Sequence, residues 1–186
     1  MKYFAVLDTE TNWNDKVMSI GIVLADAQTF KPIRGKYLII EPAYKKGGMY
    51  ESVLFSTQAK LNRICYYKEA MKDICAWLDA YDITQIYAYN AKFDYYHLPE
   101  LHCYKWFDIL RIAAYKPYNF KIDETMSCFK TGRLKRHYGV EPILQLLSGN
   151  ADYREVHNAL CDAVDELKIM QYLNLPLETY EIGSVE

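Results

Sequence analysis

Two acidic side chains follow the first apolar stretch of the sequence. The run from Tyr3 to Leu7 has no polar face and leads directly into Asp8, Thr9 and Glu10. Such a run is typical of a strand that is buried on both sides. Because side chains two residues apart in a strand project to the same face, Asp8 and Glu10 would share one site. Adjacent carboxylates repel unless a cation lies between them, and they favour divalent ions such as magnesium or manganese. The alternative is a solvated loop after a core strand.

Two later junctions place polar groups where a helix begins. A predicted strand leads into the segment from Asn90 to Asp94, and a predicted helix over 159–173 follows His157 and Asn158. At about 100° per residue, His157 and Asp162 would lie about 140° apart inside one helix. We therefore expect His157 just before the helix, with Asn158 as the N-cap, so that the imidazole can turn toward Asp162. The alternatives are ordinary helix-end acids and a surface histidine.

Periodicity predicts the elements that would position these groups. Besides the first strand, apolar and β-branched runs predict four strands, and helical spacing predicts two long helices. The strands are predicted over 17–25, 35–40, 83–89 and 105–110, and the helices over 68–80 and 159–173. Residues 41–67 show no clean period, and 125–148 is predicted to be helical in pieces, interrupted at Gly132, Gly139 and Pro142. The sequence therefore predicts an α/β protein.

Composition sets the broad class of the protein. The 186 residues are 51% hydrophobic and 25% charged, which is ordinary for one globular domain. The net charge of −2 gives no general attraction to nucleic acid, so any such binding must come from local patches. The five cysteines are scattered without a C-x-x-C pair, so we expect reduced thiols. No apolar run is long enough to span a bilayer and no signal-type segment begins the chain, so we predict a cytoplasmic protein without a membrane partner.

Three motifs in this order resemble those of the DEDDh branch of the DnaQ-like 3′-to-5′ exonucleases. They are the Asp-Thr-Glu that begins at Asp8, the Asn-Ala-Lys-Phe-Asp that ends at Asp94, and the stretch from His157 to Asp162. The resemblance covers most of the chain. It implies a ribonuclease-H-like fold with a five-stranded mixed sheet, in which the second strand is antiparallel to the others and helices cover both faces. After the first motif the sequence has Thr-Asn-Trp, where many relatives have Thr-Thr-Gly and an apolar residue.

The resemblance also implies a role for each candidate residue. Asp8, Glu10 and Asp162 would bind the metal that activates the attacking water, and Asp94 would help Asp8 to bind a second metal. His157 would be the general base. Two divalent ions, Mg²⁺ or Mn²⁺, would clamp the attacking and leaving oxygens of an in-line displacement at phosphorus.

Trp13 and Asn90 are the predicted substrate contacts. Trp13, in the loop after the first acids, would either stack on a nucleobase or pack against the sheet edge. A basic cluster further along the chain would either contact phosphates or form a solvated helix face. This cluster comprises Lys130, Arg133, Lys135, Arg136 and His137.

The predicted activity is that of a 3′-to-5′ exonuclease acting on the 3′ ends of single-stranded DNA or RNA and releasing nucleoside monophosphates. The exonuclease domain is predicted over 1–175, with a short C-terminal tail over 176–186. An alternative from a different class is an exonuclease-like module that binds nucleic acid or a DNA polymerase, with catalysis dispensable. A DNA polymerase is therefore a candidate partner. The complete set of acids and histidine argues against a site without activity.

Overall fold

A mixed β-sheet runs through the structure, a computed structural model that describes residues 1–56 and 62–186. The strands of these residues are β1 (Tyr3–Thr11), β2 (Val17–Asp26), β3 (Pro32–Glu41), β4 (Asn62–Tyr66), β5 (Gln85–Ala88), β6 (Lys105–Asp108) and β7 (Ser184–Val185). Their order across the sheet is β4-β3-β2-β1-β5-β6-β7. Strands β2 and β7 run antiparallel to their neighbours, and the other neighbouring pairs are parallel.

The prediction of five strands is wrong, because the sequence pattern does not reveal two edge strands. The five predicted strands correspond to β1, β2, β3, β5 and β6, and β2 is antiparallel as expected. In β4 the apolar run begins only at Ile64 and continues into α1, and Arg63, Ile64 and Tyr66 are exposed while Cys65 is buried, so the run does not mark a buried strand. Strand β7 has only two residues, which is too few to show a period.

Helices cover both faces of the sheet, as predicted. They are α1 (Tyr67–Ala80), α2 (Lys92–His97), α3 (Leu110–Ala113), α4 (Val140–Ser148) and α5 (Ala159–Leu173), with 3-10 helices at Ala43–Lys46, Glu51–Val53, Pro99–Leu101 and Leu177–Gly183. Helix α1 packs on one face through Ile74 and Leu78, and α5 packs on the other through Leu167. Within the described ranges, none of the helices combines the length and the apolar character needed to cross a membrane.

Residues 125–148 contain less helix than predicted. Within this range α4 is the helix, and residues 125–139 are irregular chain with one isolated β-bridge to Tyr115 and another between Cys128 and Leu134. Gly132 has a φ of +85° and makes a turn that a helix cannot contain. Gly139 is the N-cap of α4, and Pro142 lies in the first turn of that helix. Proline is tolerated there because backbone N–H groups of the first turn have no acceptor within the helix.

The alternation of side chains along β1 decides which face carries the acids. Val6 faces the core beneath α5, whereas Leu7 faces the core beneath α1. The same alternation places Asp8 and Glu10 on the α5 face. The two-residue spacing therefore directs both acids toward the helix that carries Asp162.

Gly21 allows the first turn of α5 to lie directly on the sheet. It is the register partner of Asp8 in β2. A Cβ built at Gly21 would lie 2.2 Å from backbone atoms of Ala159 and Leu160, so any larger residue would push the helix away. This close approach brings the N-terminal turn of α5, and Asp162 with it, against β1 and β2.

Residues 176–186, expected as a short acidic tail, extend one edge of the sheet. The 3-10 helix over Leu177–Gly183 leads into β7, which pairs with β6. The Tyr180 side chain is fully buried, and its ring meets the Tyr87 ring edge to face with centroids 5.6 Å apart. Burial of this aromatic ring ties the segment to the core.

Candidate active site

Three of the predicted site residues meet near the carboxyl end of β1. Glu10 in β1, His157 before α5 and Asp162 in the first turn of α5 each offer a ligand atom, and these atoms lie within 4.8 Å of one another. Metal–oxygen distances of about 2.0–2.6 Å would allow one divalent ion to bridge such a gap. The position also agrees with the general rule that ligands bind at the carboxyl ends of strands in open α/β sheets.

The backbone turns sharply at His157, just before the helix. Its φ of 58° is in the left-handed region. Asn158 is the N-cap, and its Oδ1 accepts hydrogen bonds from the backbone N–H groups of Leu160 and Cys161 at 3.2 and 3.4 Å. His157 therefore reaches Asp162 from outside the helix, which removes the angular separation that two positions inside one helix would have.

A buried hydrogen-bond network holds this turn in place. The Asn158 Nδ2 donates to the Tyr37 hydroxyl and to the Val53 carbonyl, each at 2.9 Å. The Tyr37 hydroxyl in turn donates to the Leu54 carbonyl at 2.9 Å. Because Asn158 is only 1% exposed, these bonds fix the helix start to β3 and to the segment around residues 53–54.

Asp94 reaches the same edge of the sheet from α2. Its side chain is 2% exposed, and its Oδ1 accepts a hydrogen bond from the Thr9 hydroxyl at 2.8 Å. Thr9 lies between the two acids of β1 and points to the opposite face of the strand. The hydroxyl of Thr9 orients Asp94, and the charge of Asp94 acts on the carboxylates of both Asp8 and Glu10, so the three acids lie close together.

Burial raises the pKa of every predicted acid. The pKa of Glu10 and that of Asp162 are each raised to about 8, first by burial and then by neighbouring carboxylates. Burial raises the pKa of Asp94 to about 7, although the Thr9 hydrogen bond lowers it. The pKa of Asp8 is raised well above its ordinary value by burial and then by the charge of Asp94. Ionised together, these acids would repel strongly unless cations lay among them.

The donor set fits divalent metal ions. Among the described residues, Asp8 Oδ2 and Asp162 Oδ1 are buried and have no hydrogen-bond partner. A buried carboxylate oxygen without a partner is costly, and a bound cation would satisfy it. Several carboxylates and one imidazole, without a thiolate, suit a small hard ion. Asp8, Glu10, Asp94 and Asp162 are therefore suitable ligands for the predicted Mg²⁺ or Mn²⁺ ions.

Several solved structures share the fold of this chain. The nuclease domain of 3′hExo, a DEDDh family member bound to rAMP, matches with a TM-score of 0.66 and 11% identity over 100% of this chain and 96% of that chain. A 3′-exonuclease in a structure of 3′-end specific recognition of a histone mRNA stem-loop matches with a TM-score of 0.62 and 11% identity, over 97% of this chain and 84% of that chain. No family model matches the sequence, and no curated protein matches it.

Exonuclease I of E. coli, in complex with a dA16 oligonucleotide, matches with a TM-score of 0.61 and 15% identity over 97% of this chain. This chain covers 42% of the length of Exonuclease I. The chain has the fold of a DEDDh-family nuclease domain. At identities of 11% and 15% the comparison establishes the fold, and the chemistry depends on the residues of the site.

Two acids whose charges act on Asp8 and Glu10 are missing from the sequence prediction, namely Glu166 and Glu155. Glu166 is 1% exposed, and its Oε2 has no partner among the described residues. Burial and then the charge of Asp94 raise its pKa well above the ordinary value. Glu155 lies in the loop before His157, and burial and then the charge of Asp165 raise its pKa to about 7. Glu166 follows Asp162 by four residues on α5, and this helical spacing is a sequence signal that could have identified it.

Tyr50 is an aromatic contact of the site that the sequence does not reveal. Its ring stacks on the His157 ring, with centroids 4.2 Å apart and planes inclined by 16°. It precedes the 3-10 helix over Glu51–Val53, inside the stretch 41–67 that shows no period. The stack limits the orientations open to the imidazole.

The two predicted substrate contacts lie on the exposed turns that follow β1 and β5. Trp13 is 68% exposed in the turn after β1, so packing against the sheet edge does not account for its ring. The Asn12 side chain anchors that turn by accepting from the backbone N–H groups of Asn14 and Lys16 at 2.9 and 3.1 Å. Asn90 is exposed in the turn after β5, and its backbone N–H donates to Asp108 Oδ1 at 2.9 Å.

Proposed function

We propose that this protein is a 3′-to-5′ exonuclease that hydrolyses phosphodiester bonds at the 3′ end of single-stranded DNA or RNA and releases nucleoside monophosphates. The observation that carries the proposal is the approach of Glu10, His157 and Asp162 within 4.8 Å of one another. Asp8 and Asp94 lie at the same edge of the sheet. The DEDDh fold supplies the context, and the arrangement of these five residues supplies the chemistry.

The four acids would hold two divalent ions, Mg²⁺ or Mn²⁺. Bound there, the ions would stabilise negative charge on the attacking and leaving oxygens of the phosphodiester. Asp8 is assigned to both ions on the resemblance to the DEDDh exonucleases, and its position among the charges of Asp94, Glu166, Asp162 and Glu10 supports that assignment. Thr9 keeps Asp94 oriented, and the first turn of α5 keeps Asp162 oriented.

His157 is the proposed general base. Its half-buried ring stands beside Glu10 and Asp162, in reach of solvent and of a phosphodiester placed over the acids. A water that attacks phosphorus must lose a proton, and a neutral imidazole can accept it near neutral pH. Tyr50 positions the ring for this transfer by stacking on it.

Trp13 and Asn90 are the proposed contacts to the terminal nucleotide. The exposed Trp13 ring is available for stacking on a base, which contributes about 1–3 kcal/mol and tolerates any sequence. Asn90 presents an amide from the turn next to α2, which also carries Asp94. Nucleotide and oligonucleotide complexes of the structural neighbours, with rAMP and with dA16, support a nucleic-acid substrate.

The direct test is to incubate the purified chain with magnesium and a 5′-labelled single-stranded oligonucleotide. We expect a ladder that shortens one nucleotide at a time from the 3′ end, and no cutting of circular single-stranded DNA. Efficient cutting of circles would show an endonuclease instead. A module that only binds nucleic acid or a DNA polymerase would leave the linear substrate intact.

The base assignment is tested with His157→Ala. Single-turnover cleavage at saturating metal should slow by about 10²- to 10⁴-fold, while oligonucleotide binding stays unchanged. His102→Ala is a matched control, because the exposed His102 is not part of the group formed by Glu10, His157 and Asp162. A rate for His157→Ala within a few-fold of the parent would rule out the base role.

A further inference from the structure

A hydrogen-bonded turn presents the basic cluster of the sequence on the surface. The Phe129 N–H donates to the Arg133 carbonyl at 2.8 Å, and the Gly132 N–H donates back to the Phe129 carbonyl at 2.9 Å. The Leu134 N–H donates to the Ala114 carbonyl at 2.9 Å, which ties the turn to the chain after α3. The predicted alternative of a solvated helix face therefore does not apply, because these residues are not helical.

Aromatic and cationic side chains alternate on this turn. The Arg133 guanidinium lies 5.1 Å from the centroid of the Phe129 ring and 5.1 Å from that of the Tyr138 ring. The Lys135 ammonium lies 5.7 Å from the Phe129 ring. Phe129 is 47% exposed and Tyr138 is 37% exposed. We call Phe129, Lys130, Arg133, Lys135 and Tyr138 the Phe129–Tyr138 surface.

The charge of this surface is not neutralised locally. Residues 125–140 contain Lys130, Arg133, Lys135 and Arg136 and no Asp or Glu. None of these four cations forms an ion pair with a residue in the described parts of the chain. In a chain of net charge −2, the three cations of the Phe129–Tyr138 surface and the neighbouring Arg136 together form a local site for anions.

A hydrogen bond connects the Phe129–Tyr138 surface to the candidate active site. The Tyr89 hydroxyl donates to the Tyr138 carbonyl. Tyr89 directly precedes Asn90, and it follows β5, the strand that leads to the turn before Asp94. This bond attaches the Phe129–Tyr138 surface to the residue that precedes Asn90, so one extended strand of nucleic acid that passes Asn90 could contact both the acids and this surface.

We propose that the Phe129–Tyr138 surface binds the single-stranded part of the substrate on the 5′ side of its terminal nucleotide. Phosphates would pair with Arg133, Lys130 and Lys135, and bases would stack on the exposed rings of Phe129 and Tyr138. The Arg133 guanidinium, held between the two rings, is pre-oriented for such contacts. This inference rests on the proposed function, since it assigns the substrate path of the same site.

The test measures binding of a 5′-fluorescein-labelled dT20 strand by anisotropy in the presence of chelator, so that no cleavage occurs. Arg133→Gln/Lys135→Gln should raise the Kd by about 10-fold. The slope of log K against log salt should become shallower by about 1.4, because about 0.7 ions are released per phosphate contact on a single strand. Phe129→Ser should raise the Kd by about 5-fold or more, as loss of one stacked base predicts.

Lys68→Gln/Lys72→Gln is the matched control, because it removes the same charge from exposed positions on α1. The control should change the Kd less than 2-fold. Equal Kd changes in the two double variants, or no measurable binding by the parent, would overturn the proposed surface. Thermal unfolding of each variant confirms that the fold is retained.

Hydrolysis of the p-nitrophenyl ester of thymidine 5′-monophosphate separates this proposal from the nuclease activity itself. This small substrate cannot extend to the Phe129–Tyr138 surface, so Arg133→Gln/Lys135→Gln should hydrolyse it at the parental rate. Normal hydrolysis with unchanged dT20 binding would refute the surface and leave the exonuclease proposal standing. If the parent hydrolysed neither this ester nor the linear oligonucleotide, while dT20 binding depended on Arg133 and Lys135, the nuclease would be refuted and the surface would stand.

Discussion

The ring of Tyr50 lies 4.2 Å from the ring of His157, and the two planes are inclined by only 16°. Since an aromatic pair of this kind contributes about 0.5–1.5 kcal/mol, Tyr50→Ala should lower kcat by about 2- to 12-fold. The KM should change little, because Tyr50 is expected to orient the base rather than to bind substrate. Steady-state rates on a labelled oligonucleotide measure both constants.

Tyr50→Phe is the control for this prediction. It keeps the ring and removes only the hydroxyl, so it should restore kcat to near the parental value. A tyrosine that acted through its hydroxyl would instead lose the same activity in Tyr50→Phe as in Tyr50→Ala. That outcome would contradict the positioning role.

The sequence predicted the acidic site because its residues obey short-range rules. The two-residue spacing of Asp8 and Glu10 fixes their common face in any strand, and the N-cap preference of Asn158 places His157 before α5. Both rules depend on local geometry, and the structure agrees with both. The left-handed backbone conformation of His157 then turns its side chain toward Asp162.

Other parts of the structure depend on contacts between distant residues. Tyr50 meets His157 across more than a hundred residues, and nothing near Tyr50 in the sequence signals a partner. Strand β4 is recognisable as a strand only through its pairing with β3. The irregular chain over 125–139 is organised by its bonds to the chain after α3, and local propensity does not encode those bonds.

Asp8→Ala should be the most damaging substitution among the acids, because Asp8 is assigned to both metal ions. We expect a loss of activity of at least about 10³-fold, since removal of one ligand would disturb both ions that stabilise charge at phosphorus. Cleavage of a 3′-labelled oligonucleotide with magnesium or manganese measures the loss. Excess chelator should abolish cleavage by the parent, and calcium should support it poorly.

Asp152→Ala is the matched control for the loss of an acid. Asp152 is exposed in the loop after α4, so its removal should leave the rate unchanged. Undiminished cleavage in chelator would contradict the metal requirement. Near-normal turnover by a folded Asp8→Ala variant would contradict the assignment of the whole site.

The raised pKa values of the acids predict how the metal-free protein responds to pH. Burial raises the pKa of Asp162 and that of Glu10 to about 8, so the folded protein keeps protons that the unfolded chain has already lost. Stability must therefore fall as the pH rises from about 5 to 8. For a chain of this size, each kcal/mol lost from the free energy of unfolding lowers the Tm by about 2–4 °C. We therefore expect the Tm in chelator to fall by about 4 °C or more between pH 5 and pH 8.

Magnesium should oppose this effect, because it would bind the ionised acids of the folded state. The rise in Tm on adding magnesium should be larger at pH 8 than at pH 5. Asp162→Asn removes one of the acids with little change in shape, so its Tm in chelator should depend less on pH than that of the parent. A parental Tm that is constant between pH 5 and pH 8 would contradict the prediction.

Gly21→Ala should displace the helix that carries Asp162. The added Cβ would lie 2.2 Å from the backbone of Ala159, which cannot rotate away as a side chain could. Overpacking commonly costs about 1–3 kcal/mol, and we expect a loss at the upper end of that range, measured by urea unfolding, together with loss of cleavage. Gly139→Ala is the control, because among the described residues its Cβ would meet only Pro142, at 3.9 Å. Equal stability of the two variants would show that α5 does not depend on this close approach.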